Sequence, residues 1–214
     1  MAAKSRSSRR SSRESPSGNE LLAMELQEIR SAESQLARVL PRLSKAAQSE
    51  ELREMLDGRQ QEGERIMRDL DAAFEELEER PGRKRNMAAE GLVNDARENA
   101  QEVAQGPARD AVLIDGIQKT EHYCIAAWGT ARSLAQALEQ RNTVKAMERA
   151  LKEGKSLDQQ LTQLSEQEIT PALLSMESAG GEGEQQRQSA RGNGRGNGRG
   201  RSRRESGSGR RAHA

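Results

Sequence analysis

The chain has 214 residues, of which 33% are hydrophobic, 32% charged and 1% aromatic, enough for one domain or two small ones. One Phe, one Tyr and one Trp cannot supply the aromatic and β-branched surface that packs a sheet, whereas the abundant Ala, Leu, Glu, Gln and Arg form helices. The formal net charge of +1 conceals an asymmetry: residues 1–18 carry +4 and residues 181–214 carry +6, so the 162 residues between them carry −9, an acidic body with two basic arms suited to polyanions or to the body of another copy.

In chain order, residues 1–18 are mostly Ser and Arg and bury too little apolar area to offset backbone entropy, so they read as a disordered basic tail. A first helix is predicted from Asn19 as N-cap, its face marked by Leu22, Leu26, Ile29, Leu36, Val39, Leu40 and Leu43 at three- and four-residue steps. Pro41 should kink or end it. Ser49 is the next N-cap, followed by a stripe of Leu52, Leu56, Ile66, Leu70, Phe74 and Leu77 up to Pro81-Gly82, a strong turn signal. A weakly apolar third helix is predicted from Lys84 to about Gln105, before Gly106-Pro107. A fourth runs from about Ala108 to Gln140, with Arg141-Asn142 as a turn. A fifth covers about Thr143 to Glu166, with a turn or two more after Pro171.

From Ala179 the composition collapses to Gly, Arg, Ser, Asn and Gln, with a tetrapeptide repeat through Arg191, Arg195 and Arg199 to Arg201; residues 179–214 read as a disordered Arg/Gly-rich tail. Short links between long helices favour an antiparallel up-down bundle over residues 19–178. Its core, poor in aromatic mass, packs thinly, and a homodimer contact would complete it.

Much chemistry is excluded. A single cysteine, Cys124, allows no intrachain disulfide or cysteine zinc cluster and suits a reducing cytoplasm. No apolar run reaches the ~20 residues of a membrane span. The basic start lacks both the apolar core of a signal peptide and the amphipathic pattern of a transit peptide. With two histidines, one of them His213 near the end, no catalytic triad is available, and the glycines of the tail precede no helix that would hold a phosphate.

Several stretches together resemble the YciF-type ferritin-like family of DUF892-like bacterial stress proteins. They are Leu26 to Leu43, with Ala32-Glu33 inside the helix and Leu40-Pro41 after it; Gly91-Leu92; Gln118-Lys119-Thr120-Glu121-His122-Tyr123 and on to Gly129; and Leu161-Thr162-Gln163-Leu164. The resemblance spans about Leu21 to Ser165. It implies an all-α, ferritin-like antiparallel four-helix bundle with an additional C-terminal helix, a fold that can hold two metal ions between inward carboxylates and histidines. Fe or Mn would be the ions, since both favour oxygen and imidazole ligands.

Carried over residue by residue, the resemblance implies metal ligands at Glu33, Glu62 and Glu121, with Asp95 in the third helix shorter by one methylene. At two positions the pattern breaks. The histidine three residues before Glu62 is here Arg59, whose guanidinium cannot ligate a metal. The second glutamate of the fourth helix is here Cys124, which keeps the i, i+3 relation to Glu121 but is a softer ligand. The expectation is a vestigial metal site in which Arg59 pairs with Glu62 or Glu121.

From the residues alone, Glu33 also reads as a solvated helix acid and Cys124 as a small buried hydrophobe. His122 lies about 100° around the helix from Glu121, too far for both to face one centre, and belongs at the surface. Tyr123 and Trp128 read as core or interface. The tail arginines Arg191, Arg195, Arg199, Arg201, Arg203 and Arg204 offer charge and paired hydrogen bonds to phosphate, so nucleic acid or another polyanion is the expected partner; a solubilising tail is the plain alternative. The leading expectation is a non-catalytic stress-associated protein with polyanion-binding arms. The rivals are a di-iron or di-manganese carboxylate oxidase or peroxide-consuming enzyme, and a protein-interaction scaffold.

Overall fold

The computed structural model describes residues 15–176 and 178; the tail expectations for residues 1–14 and 179–214, including all six tail arginines, lie outside them. Five α-helices follow one another: α1 (Gly18–Ala46), α2 (Glu50–Glu76), α3 (Met87–Glu102), α4 (Pro107–Ala137) and α5 (Arg141–Leu164), the last running into a π-helical turn (Ser165–Ile169). No strand occurs among the described residues, as the residue composition requires. The first compact unit ends at Leu173; the described residues of the second, from Leu174, are helical.

The helix ends show the local chemistry at work. α1 begins at Gly18 rather than Asn19 because Ser17 and Glu20 form a capping box: Glu20 N–H donates to Ser17 Oγ at 3.2 Å and Ser17 N–H to Glu20 Oε2 at 2.7 Å. Pro41 neither ends nor divides α1. The ring removes one backbone bond, to the carbonyl of Ala37, which is exposed and open to water. Meanwhile Leu40 and Leu43 on the far face are 1% and 2% exposed. Burying two leucines, about 1.5–3 kcal/mol each, outweighs a proline cost of about 3 kcal/mol.

α2 starts from Ser49 as expected but stops before Pro81-Gly82. Glu78 turns left-handed (φ 56°) and Glu79 N–H closes on Phe74 O at 3.0 Å. α3 begins later than Lys84, because Asn86 caps it. Asn86 also donates from Nδ2 to Glu28 O at 3.1 Å and to Tyr123 Oη at 2.6 Å, and from its N–H to Ser31 Oγ at 2.9 Å, binding α1, α3 and α4 at one residue. Gly106 adopts φ 131° before Pro107, the first residue of α4. The last turn falls at 138–140, with Glu139 left-handed (φ 58°); Arg141-Asn142, expected as the turn, opens α5 instead.

The helix pairs α1–α2, α2–α5, α5–α4 and α4–α1 all pack side by side, closing a four-helix ring, and α3 lies outside against α1 and α4. Trp128 and Phe74 are the largest fully buried side chains, among Leu, Ile and Ala from every helix. Buried Asp110 accepts from the backbone N–H of Gln48 at 2.8 Å and of Ser49 at 2.9 Å, which fixes the α1–α2 turn to α4. Among the described residues no helix is long and apolar enough to cross a membrane.

Candidate functional site

Three charged residues sit inside the ring. Glu33 (α1), Arg59 (α2) and Glu121 (α4) are 1%, 3% and 1% exposed. Each occupies an inward position of an otherwise apolar stripe, between Ile29 and Leu36, between Leu56 and Ile66, and between Ile117 and Trp128. Glu33 receives a bidentate contact, from Arg59 Nη1 to Oε2 at 3.0 Å and from Nη2 to Oε1 at 2.9 Å. Glu121 Oε2 accepts from Arg59 Nε at 2.8 Å. The guanidinium carbon lies 5.6 Å from the centroid of the Trp128 ring, within cation–π range.

A buried charge is tolerated only when paired and hydrogen-bonded, and here two carboxylates and an aromatic face surround one cation. Burial by itself would lower the guanidinium pKa. Attraction to Glu33 and then to Glu121 overrides this and holds it well above the ordinary arginine value. Burial pushes the Glu121 carboxyl up, and the Arg59 charge only partly offsets it. The second oxygen of Glu121, Oε1, is buried without a hydrogen-bond partner, as is Trp128 Nε1.

Two glycines make room. A Cβ at position 63 of α2 would stand 3.0 Å from Glu33 Oε2 and 3.2 Å from Arg59 Nη1. One at position 154 of α5 would stand 2.5 Å from Trp128 Cζ3 and 2.7 Å from Glu121 Oε1. Glycine inside a helix costs about 1 kcal/mol relative to Ala, so two such residues facing the cluster mark close packing rather than flexibility.

The residues named from the sequence divide in two. Glu33 and Glu121 converge on Arg59, and Cys124 is buried beside them at 2% exposure. Its thiol is pushed well up, by burial first and then by the Glu33 charge, with Arg59 opposing, so it stays protonated. Glu62 is only 8% exposed, yet it pairs with Arg65 on its own helix; Arg65 reaches on to Glu153 of α5. Thus Arg59 pairs with Glu121 as one of the two expected partners, does not pair with Glu62, and takes Glu33 instead. Asp95 is exposed on α3, where its charge acts on Lys119, and it does not join the cluster. His122 is at the surface, with Nε2 3.2 Å from Asp158 Oδ1. Tyr123 is half-buried against Asn86 and Trp128 is core.

This donor set does not fit a two-metal centre. Both oxygens of Glu33 and one of Glu121 are engaged by a permanent cation. Among the described residues no group of three or more His, Cys, Asp or Glu side chains is arranged to hold a metal ion. What the cluster can do is fix the mutual position of α1, α2 and α4 through one guanidinium fork.

Comparison with known proteins places this architecture. Residues 17–174 match the family described as Domain of unknown function (DUF892). Protein YciF of Escherichia coli (strain K12) is 35% identical over 141 residues, covering 65% of this chain and 85% of that protein. The crystal structure of the E. coli stress protein YciF superposes with a TM-score of 0.67 at 32% identity, covering 71% of this chain and 96% of that one. YcfI of Rhodopseudomonas palustris superposes with a TM-score of 0.66 at 30% identity, with the same coverage. With the family match spanning most of the chain and a YciF-like ring of helices beneath it, the protein belongs to the DUF892 (YciF-type) family.

Proposed function

We propose that this chain is a stress-associated, non-catalytic member of its family, in which Arg59 stands permanently where relatives of the ferritin type would place metal, and whose arginine-rich arms bind polyanions such as nucleic acid. The observation that carries the first part is the buried Glu33–Arg59–Glu121 cluster. A fixed internal cation neutralises the inward acids as a metal would, without redox chemistry or an open ligand position. The stress association is carried over from the E. coli relative, described as a stress protein. The arms contribute charge rather than base stacking, since they contain no aromatic residue. Leu21 and Met24, exposed one turn apart on α1, give a small apolar face for the proposed homodimer contact.

The enzymatic reading, an Fe or Mn carboxylate centre, draws on one observation: Glu62 Oε1 and Glu121 Oε1 are both buried without hydrogen-bond partners. Elemental analysis of protein purified without chelator separates the two. Less than a tenth of an equivalent of Fe or Mn per chain is expected, and an R59H variant should take up more than the parent; near two equivalents in the parent would overturn the proposal. For the arms, replacing Arg191, Arg195, Arg199, Arg201, Arg203 and Arg204 with Gln should weaken binding of a labelled oligonucleotide and flatten its salt dependence. Unchanged affinity would remove the arms from the function.

A further inference from the structure

The acidic body is not uniformly acidic. Between α1 and α3, closed at one end by the α2–α3 loop, lies a groove of about 830 Å³. It is lined by seven cationic side chains and a single carboxylate, Glu90, in a body whose net charge is −9. Along α1, Arg30, Ser34, Arg38 and Arg42 follow at strict four-residue steps, and Arg97 of α3 faces the same space, as does the run Arg83-Lys84-Arg85 from the loop. The floor is apolar at Val39 and Val93.

Part of this charge is already matched. Arg30 pairs with Asp71 at 3.1 Å, Arg97 with Glu98 at 3.4 Å, Lys84 with Glu28 and Arg85 with Glu90. Arg38 turns to its own helix, donating to Ser34 O at 2.8 Å and Ser34 Oγ at 3.1 Å. Among the described residues Arg38, Arg42 and Arg83 have no acidic partner, and all three are exposed. Arg38 and Arg42 are like charges one helical turn apart, an arrangement that destabilises a helix unless an anion lies between. The fold gathers seven bases around one cavity and leaves three of them without an acid.

We propose that this groove binds a chain of phosphates, through the charged backbone of a single-stranded nucleic acid or an inorganic polyphosphate. One four-residue step along a helix rises about 6 Å, the same order as the spacing of successive phosphates along a strand, and Arg38 and Arg42 stand one such step apart. Arginine meets phosphate oxygens with paired donors, and Ser34 and Asn94 add neutral ones. With no aromatic side chain in the lining, recognition is of backbone, not of base. The groove shares its ligand class with the proposed terminal arms but not one residue, so either site can fail alone.

The test uses the full-length chain in four forms: parent, groove variant (R38Q, R42Q and R83Q together), arm variant (the six tail arginines to Gln) and both combined. Fluorescence anisotropy follows a labelled oligonucleotide of about 16 nucleotides and, separately, a labelled polyphosphate of similar charge, each across a salt series. Circular dichroism checks that the exposed substitutions leave the fold intact. In the arm-variant background, the groove substitutions should weaken at least one ligand by about fivefold or more and reduce the log–log salt slope by about 2, near 0.7 per lost phosphate contact. The ligand so weakened names the source of the phosphates. A smaller change for both ligands overturns the groove while leaving the arms standing. Displacement of the oligonucleotide by polyglutamate at equal charge also overturns it, because the partner would then be an acidic polypeptide. Loss of binding through the groove substitutions alone, with the arm variant at parental affinity, would retain the groove and remove the arms.

Discussion

Arginine serves two opposite ends in this molecule. Inside the helix ring, Arg59 is enclosed by two carboxylates and an indole at 3% exposure. In the groove between α1 and α3, Arg38, Arg42 and Arg83 are exposed and unmatched by acids. The first environment has a low effective dielectric and strong, unscreened pairing; the second is in water, where each pair is worth little and salt weakens it further. The same side chain is therefore a structural rivet in one place and a free charge in the other.

The sharpest way to break the contrast is to remove each arginine in turn. R59A leaves Glu33 and Glu121 buried without their cation and is expected to lower unfolding free energy by about 3–5 kcal/mol, read as a drop in the urea midpoint. R38Q and R42Q should each change it by no more than about 0.5 kcal/mol. Equal effects at the two places would dissolve the distinction. Replacing Glu33, Arg59 and Glu121 together by Met, Leu and Met is expected to recover most of the R59A loss, since buried ion clusters and well-packed apolar residues of similar volume are often near equal in stability.

The packing around the cage gives the next effect. G154A would drive a methyl group toward Trp128 and Glu121 and should cost about 1–3 kcal/mol, whereas G91A, with nothing near its Cβ, should stabilise α3 slightly through helix propensity. Thermal midpoints of the two variants should move in opposite directions. Outside both regions, N86A removes the α3 cap and the two further hydrogen bonds of the side-chain amide, and about 1–2 kcal/mol is expected from a denaturation curve.

The smallest expected effect is in pH. The folded state holds the Glu121 proton more tightly than the unfolded chain does, because burial raises its pKa above 4.5 while Arg59 only partly opposes. Its contribution to stability is therefore greatest below pH 4.5 and declines as pH rises through the raised value. Glu20 works in the opposite sense: its hydrogen bonds to Ser17 lower its pKa, so its share is lost on acidification. Comparing E121Q with the parent between about pH 4 and 7 isolates the first term. The parent should lose stability relative to E121Q as pH rises, and parallel curves would show that Glu121 is not the titrating group.

Much of the architecture was legible because it is carried by local patterns. The stripes from Leu22 to Leu43 and from Leu52 to Leu77, the cap at Ser49, and the break at Gly106-Pro107 all act within a few residues. Where the reading missed, the deciding partner lay far away in sequence. Pro41 stays helical because leucines on the opposite face are held by other helices. α3 starts at Met87 because its N-cap, Asn86, is held by α1 and α4. At the site, the resemblance pointed to Glu33, Glu121 and the arginine at 59, but which acids that arginine chooses could not be read from spacing. Glu62, three residues away on the same helix, was the nearer candidate along the chain; Glu33, from another helix, is its partner. The basic groove was invisible for the same reason: its residues belong to three segments whose summed charge is diluted by acids that face elsewhere.

What the sequence alone determined is the set of helices, their apolar faces and their family, since periodicity, capping and breaking residues act over one or two turns. What only the tertiary structure decided is which charges meet. Coulombic pairing and desolvation depend on distances of a few ångströms across helices, and those distances exist only once α1, α2 and α4 are packed around Arg59 and α3 has been laid beside the arginine row of α1.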